Sequence, residues 1–272
     1  VNTSTQAAWR VFCGDAMAVL NQLPEARYSA VITSPPYYWL RDYGVSGQLG
    51  RESKVTGYVE AVADVMDAVM RVLHPRGVLF LNLGDTYYSG KGRPQGRDSK
   101  HPGRRQRKLR AVDASGLGYP KKTLLGMPWR VALEMIDRGW ILRSAIVWRR
   151  TFAVPEPTAT DRPYRTHEQV FLFAKHRIYD FDRQPLKLAG EEDVWSIPSH
   201  SRAGRPHPAV FPAELVERCL SVAAVKPGQV VLDPFAGSGT VLKVATASGI
   251  AADGIDLSRR FCRQMAADLT DK

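Results

Sequence analysis

The sequence predicts an α/β fold: a mainly parallel sheet with helices on both faces. Three observations carry this. Short apolar runs, such as Tyr28–Thr33 and Gly77–Leu83, alternate with stretches whose apolar residues recur at helical spacing. The runs are apolar at successive positions, as strands covered on both sides require. Turns rich in proline or glycine follow two of them, and the ends of parallel strands are where such folds carry ligands.

Tyr28–Thr33 reads as a buried strand. Tyr58–Leu73 reads as an amphipathic helix with Val62, Met66, Val69 and Leu73 on one face. His74-Pro75-Arg76-Gly77 ends it, and Gly77–Leu83 is the next strand. Thr123–Arg138 is predicted helical, with Pro128 bending or delaying its start. Ile141–Trp148 and Gln169–Ala174 read as strands, and His176–Pro206 as polar and irregular. Pro212–Val225 is a helix opened by a proline where proline is tolerated. Gln229–Asp233, Thr240–Ser248 and Ile250–Ile255 form a strand, a helix and a strand, and Ser258 caps a last helix through Asp268. There is no internal repeat. The irregular stretches read as insertions into a single domain spanning residues 1–272.

Composition sets limits. With 44% hydrophobic and 24% charged residues, the chain has ample core for a globular domain. No apolar run is long enough to span a bilayer, so no membrane partner is expected. The first residues lack the layout of a signal peptide. Cys13, Cys219 and Cys262 are scattered and odd in number; they read as buried small hydrophobes in a reducing cytoplasm. No metal-binding spacing occurs among the histidines or cysteines.

The net charge of +11 is concentrated: Ser89–Lys122 holds eleven basic residues against Asp98 and Asp113, so it carries nine of those charges. This loop, at about 86–122, is also rich in Gly, Pro and Ser. It buries too little apolar surface to order alone, and a polyanion would supply the missing stabilisation through phosphate contacts. The candidate phosphate-binding residues are Lys91, Arg93, Arg97, Arg104, Arg105, Arg107, Lys108 and Arg110. A solvated loop without a partner is the competing explanation, which nine net charges in one stretch disfavour.

Two stretches carry chemistry. The first is Thr33-Ser34-Pro35-Pro36-Tyr37-Tyr38-Trp39, directly after a buried strand. Its prolines fix two φ angles, and Pro35 pushes Ser34 out of helical space. The second is Val230–Thr240, a strand running through Asp233-Pro234-Phe235 into a glycine turn and then a helix. Gly237 and Gly239 let a ligand approach the backbone beside a helix N-terminus. Position 242 is Leu where a dinucleotide fingerprint has its third glycine, which weakens a dehydrogenase reading; no phosphate-binding G-x-x-x-x-G-K-[ST] occurs either. Asp256 ends the next strand, 23 residues after Asp233, close to the spacing of an acid that grips ribose hydroxyls. A tight βα turn would explain the glycine pair alone; the pair together with a well-placed acid points to a nucleoside ligand.

In this order, with His207–Cys219 just before the second stretch, the chain resembles the β class of S-adenosylmethionine-dependent DNA amino-methyltransferases. Matching elements run from about Phe12 to Phe261. The resemblance implies a Rossmann-like methyltransferase fold with the catalytic half first and the cofactor half last. It implies a catalytic Ser34-Pro35-Pro36-Tyr37 corner. An exocyclic amine is a poor nucleophile, because its lone pair is delocalised into the ring. Two acceptors, the Ser34 hydroxyl and the Pro35 carbonyl, would localise that lone pair, and Tyr37 would stack on the extruded base. Such stacking is worth roughly 1–3 kcal/mol against the unstacking cost.

The same resemblance places Asp233, Pro234, Phe235, Gly237, Ser238, Gly239 and Thr240 around the methionine and ribose of S-adenosylmethionine. Asp256 would take the ribose hydroxyls and Asp15 the adenine amine, with Phe211 and Leu215 walling the pocket. A helix cap also explains Asp15, and a core role Phe211. Arg162, Arg165, His167 and Glu168 are candidates to line the base pocket; ion pairs at a strand–loop junction explain them nearly as well. Tyr38, Trp39 and Tyr43 either contact DNA or pack. Methylation at ring carbon C5 is disfavoured, because it needs a cysteine nucleophile, usually after proline, and none of the three follows one.

The chain departs from the resemblance in one way: its recognition insert, about 176–206, is short. The basic loop is therefore expected to share or take over sequence reading. The expected substrate is double-stranded DNA, with serine at the first motif position favouring cytosine N4. Adenine N6, or a catalytically inactive nucleic-acid-binding relative, stays open. A homodimer and a cognate restriction endonuclease are further expected partners.

Overall fold

The computed structural model describes residues 8–88, 118–151, 156, 159–199 and 212–270. Eight strands form one sheet: β1 (Trp9–Cys13), β2 (Tyr28–Thr33), β3 (Leu73–Leu83), β4 (Ile141–Arg150), β5 (His167–Ala174), β6 (Val194–Ile197), β7 (Val230–Asp233) and β8 (Ala251–Asp256). The described helices are α1 (Ala16–Leu20), α2 (Val55–Val72), α3 (Met127–Asp137), α4 (Gln184–Ala189), α5 (Ala213–Val222), α6 (Thr240–Ala247) and α7 (Arg259–Thr270).

The strand order is β1-β8-β7-β2-β3-β5-β4-β6. Every pairing is parallel except those of β5, which runs against both β3 and β4. The expected α/β class, mainly parallel with two covered faces, is what the chain adopts. Period-two alternation divides each central strand between two cores. Val31, Leu79, Leu81, Phe171, Phe173 and Leu232 face α1, α2 and α3. Ala30, Ile32, Val78, Phe80, Val170, Leu172 and Val231 face α5, α6 and α7. Both faces being buried explains why these strands are apolar throughout.

Several boundaries differ from the sequence reading. Helix α2 starts at Val55, and β3 begins at Leu73, because Tyr28 pairs with Leu73 before the register shifts at Ala30. Pro128 sits in the first turn of α3, where it starts the helix and does not bend it. The stretch read as irregular, 176–206, contains α4 and edge strand β6 in its described part. Its anchor is Trp195, fully buried, whose indole donates to the Glu192 carbonyl at 3.0 Å. With it only Leu186 and Ile197 are buried among the described apolar residues of this stretch, and three such widely spaced side chains leave no period to detect. The sequence reading also omitted β1 and α1. Cys13, expected buried, is exposed at the end of β1; Cys219 and Cys262 are buried as expected. No described helix is long and apolar enough to cross a membrane.

Candidate active site at the carboxyl edge of the sheet

Strands β7 and β2 are adjacent and parallel near the middle of the sheet, with Ala30 opposite Val231 and Val31 opposite Leu232. The two informative turns therefore leave the same edge side by side, although about 200 residues separate them in sequence. A buried contact joins them: the Thr33 hydroxyl donates to Asp233 Oδ1 at 2.7 Å. That oxygen also accepts the Phe235 amide at 3.0 Å, which shapes the Asp-Pro-Phe turn. Burial pushes the Asp233 carboxyl up to about 7, against the pull of these two hydrogen bonds.

The Ser34–Tyr37 corner is held from several sides. Tyr58 of α2 donates to the Pro36 carbonyl at 2.9 Å, while no donor is seen on the Pro35 carbonyl among the described residues. Tyr38 is buried and packs on Tyr58, ring centroids 5.4 Å apart, so its role is structural. Trp39 has φ 49°, and both its amide and its indole are tied, to the Gly50 carbonyl at 2.6 Å and the Glu52 carbonyl at 2.7 Å. Gly50 has φ 94°, and a Cβ there would lie 2.8 Å from the Tyr37 carbonyl. Burial raises the pKa of Tyr43, which lies close enough to Arg41 and Asp256 for both to act on it.

Tyr37 is clamped at both ends. A Cβ on Gly84 would come within 2.5 Å of its ring. Its hydroxyl lies 2.5 Å from Glu168 Oε2 and 2.9 Å from Asn82 Oδ1, and it accepts from the Ser34 hydroxyl at 3.3 Å. Burial first, then the nearby Glu168 carboxylate, raises the tyrosine's pKa well above normal. Glu168 reaches this place because β5 runs against its neighbours: its first residues start at the edge where β2 and β3 finish. Arg150 of β4 stands 3.5 Å from Glu168.

On the other side of the seam, Gly237 (φ 53°) and Gly239 (φ 75°) make the turn into α6. A Cβ on Gly239 would strike Met265 of α7 at 2.5 Å, so the turn needs glycine twice over. Leu242, at the position that argued against a dinucleotide fingerprint, fits because its side chain lies over Gly254 of β8; a Cβ there would meet it at 2.7 Å. The missing third glycine has in effect moved to the neighbouring strand.

Asp256 accepts the Gly237 amide at 2.9 Å on one oxygen and the Ser258 amide at 2.7 Å on the other. Burial raises its pKa despite these bonds. Each oxygen keeps a lone pair for a ligand hydroxyl. Asp15, exposed, caps α1 through the Ala18 amide at 3.0 Å, and the preceding Gly14 amide donates to the Asp256 carbonyl at 3.0 Å. The Ser238 and Thr240 hydroxyls lie 3.3 Å apart at the start of α6. Two acids, two hydroxyls and a glycine turn at one edge fit a nucleoside that carries a diol and an amine.

The remaining predicted positions divide. Pro234 is buried, Phe235 packs partly against the core, and Leu215 is fully buried in α5. Phe211 and the basic candidates Lys91–Arg110 lie outside the described residues. Arg162 and Arg165 both bond Glu156, at 2.7 and 3.0 Å, and Arg162 lies 3.8 Å over the Tyr87 ring. Burial opposes the shift, but the two arginines hold the Glu156 carboxyl below its usual range. Ion pairing thus accounts for those two, whereas Glu168 reaches the corner. The sequence reading missed Thr33, Tyr58, Asn82 and Gly84. The signal was a polar residue at or next to the end of an apolar run, Thr33 closing β2 and Asn82 one residue before the end of β3. No described group of His, Cys, Asp and Glu could hold a metal ion.

Comparison with known proteins defines the class. Residues 28–267 match the family described as DNA methylase, N6_N4_Mtase. The chain is 39% identical over 268 residues to Type II methyltransferase M.XycI of Xanthomonas campestris pv. cyanopsidis, covering 95% of this chain and 86% of that protein. Among solved structures, PvuII DNA methyltransferase (cytosine-N4-specific) superposes with a TM-score of 0.73 at 20% identity, covering 99% of this chain and 94% of that one. TTHA0409 of Thermus thermophilus, complexed with S-adenosyl-L-methionine, gives 0.66 at 23% identity, covering 97% and 94%. The chain belongs to the N6/N4 family of S-adenosylmethionine-dependent DNA amino-methyltransferases.

Proposed function

We propose that this methyltransferase acts on the exocyclic N4 amine of a cytosine flipped out of duplex DNA. The observation that carries this reading is the corner itself. A neutral hydroxyl, Ser34, and a backbone carbonyl, Pro35, stand beside the Asp233 turn across the Thr33–Asp233 contact. S-adenosylmethionine supplies an electrophilic methyl on sulfur. Asp256 holds its ribose hydroxyls, Asp15 its adenine amine, and the turn from Asp233 to Thr240 its amino-acid end. Ser34 and Pro35 accept the two hydrogens of the target amine and so free its lone pair. The clamped Tyr37 and the bonds on Pro36 and Trp39 keep these acceptors fixed, and most acceleration in such a site comes from positioning and preorganised dipoles.

The family covers adenine N6 as well as cytosine N4. Serine at the first motif position and the cytosine-specific fold neighbour support cytosine. Nucleoside mass spectrometry of plasmid DNA after incubation with protein and cofactor decides: N4-methylcytosine is expected, and N6-methyladenine alone would refute the choice. The basic stretch at about 86–122, with Lys91, Arg93, Arg97, Arg104, Arg105, Arg107, Lys108 and Arg110, binds DNA phosphates in this reading. Similarity to Type II methyltransferases supports pairing with a cognate restriction endonuclease in the cytoplasm. A homodimer is proposed on the family resemblance alone.

A further inference from the structure

We propose that Tyr37 and Glu168 form a relay that carries the proton released by amine methylation from Ser34 to the Glu168 carboxylate. The proposal rests on the reading above, in which Ser34 faces the amine. It starts from a gap in that chemistry. When the amine nitrogen takes the methyl, the donor's carbon–sulfur bond breaks and its electron pair stays on sulfur. The nitrogen is left positive, with one proton to lose. A serine hydroxyl can accept that proton only if it passes its own onward.

The structure provides the onward path. Ser34 Oγ donates to the Tyr37 oxygen at 3.3 Å, and Tyr37 donates to Glu168 Oε2 at 2.5 Å while sharing its hydrogen with Asn82 Oδ1 at 2.9 Å. Each donor points away from the corner and toward the carboxylate. Ser34's lone pairs therefore remain open toward the amine, as the reaction needs. In the transfer, the nitrogen's proton moves to Ser34, the serine's proton to Tyr37, and the tyrosine's proton to Glu168, which ends as a neutral carboxylic acid.

The groups facing Glu168 are the Tyr37 hydroxyl and the Arg150 guanidinium, the latter 3.5 Å away, with Asn82 across the shared hydroxyl. Contact between the Tyr37 ring and Gly84 stops the hydroxyl from leaving the line. A purely orienting Glu168 would need neither a charge nor a chain of donors with one direction.

Two conservative variants test the relay. Glu168→Gln keeps the shape and loses the charge; Tyr37→Phe keeps the ring and breaks the line. Single-turnover methyl transfer to DNA is measured against pH, with cofactor and DNA affinities measured separately. Each variant should slow transfer by about 10²-fold. Both affinities should stay within about twofold of wild type. The double variant should be no slower than the slower single. Transfer by the wild type should fall off on the acidic side of its pH profile, and that limb should vanish in both variants. Near-normal transfer by Glu168→Gln, an unchanged acidic limb, or losses that multiply in the double variant would overturn the relay. Should Glu168→Gln misfold, as loss of cofactor binding would show, the acidic limb of Tyr37→Phe decides alone. If the wild-type protein methylates no amino group in DNA, the underlying reading fails, and the relay with it.

Discussion

Ser34 and Asp256 stand on opposite sides of the Thr33–Asp233 contact and should fail differently. Ser34→Ala should lower methyl transfer by about 10²-fold while cofactor affinity stays near wild type, because it removes an acceptor used at the reacting nitrogen. Asp256→Ala should weaken cofactor binding about tenfold or more, since a partly buried acceptor is lost and the Gly237 and Ser258 amides lose their partner. Calorimetric titration with S-adenosylmethionine, run beside a transfer assay, separates the two; equal cofactor affinity in both variants would contradict the assignment. Asp233 adds a pH dependence. Its carboxyl has the ordinary value of 3.8 in the unfolded chain and about 7 when folded. Between those values the folded state holds a proton that the unfolded state lacks. The stability this contributes is full below the lower value and is lost as pH rises through the upper one. Asp233→Asn should therefore melt progressively higher than wild type as pH rises from about 5 to about 8. A melting difference that is flat over that range would refute the buried, proton-holding carboxyl.

At the scale of the element, the chain's own pattern announced what was apolar on both faces and little else. Strands β2, β3 and β7 were legible because each is a short run of consecutive apolar residues with a turn after it. Strand β1, at the sheet edge, was not: Arg10 and Cys13 are exposed, its other residues are only partly buried, and the run is short. The Ser34–Tyr37 corner and the glycine turn were readable from their residue types. The clamp around Tyr37 was not, because Asn82, Gly84 and Glu168 come from two other strands, and only their packing brings them to one hydroxyl and one ring. Gly84 gives the sharpest test at this scale. Gly84→Ala places a methyl against the Tyr37 ring and should displace it. Transfer should fall by about 10²-fold, as a misplacement near 1 Å can cause. Overpacking should lower stability by about 1–3 kcal/mol, and cofactor affinity should hold. Unchanged transfer would show that the ring has room to yield.

For the molecule as a whole, charge and topology act together. The stretch carrying most of the net charge follows β3, whose last residue, Leu83, lies at the same edge as the corner. Replacing Arg104, Arg105, Arg107 and Lys108 together by alanine should weaken DNA binding and flatten its dependence on salt. Every phosphate left without its cation should reduce the slope of log affinity against log salt by roughly 0.9. Fluorescence anisotropy with a labelled duplex at several salt concentrations measures this. A slope identical to wild type would remove that stretch from the binding surface.

The single reversed strand has a consequence for how such a molecule can change. Because β5 runs down where β4 runs up, the connection between Arg150 and His167 begins and ends at the edge that carries the Ser34–Tyr37 corner. Lengthening or exchanging it leaves the hydrogen-bonded ladders of the sheet untouched. Changes of length or sequence can therefore accumulate there while the strands that carry the Ser34–Tyr37 corner and the glycine turn keep their register.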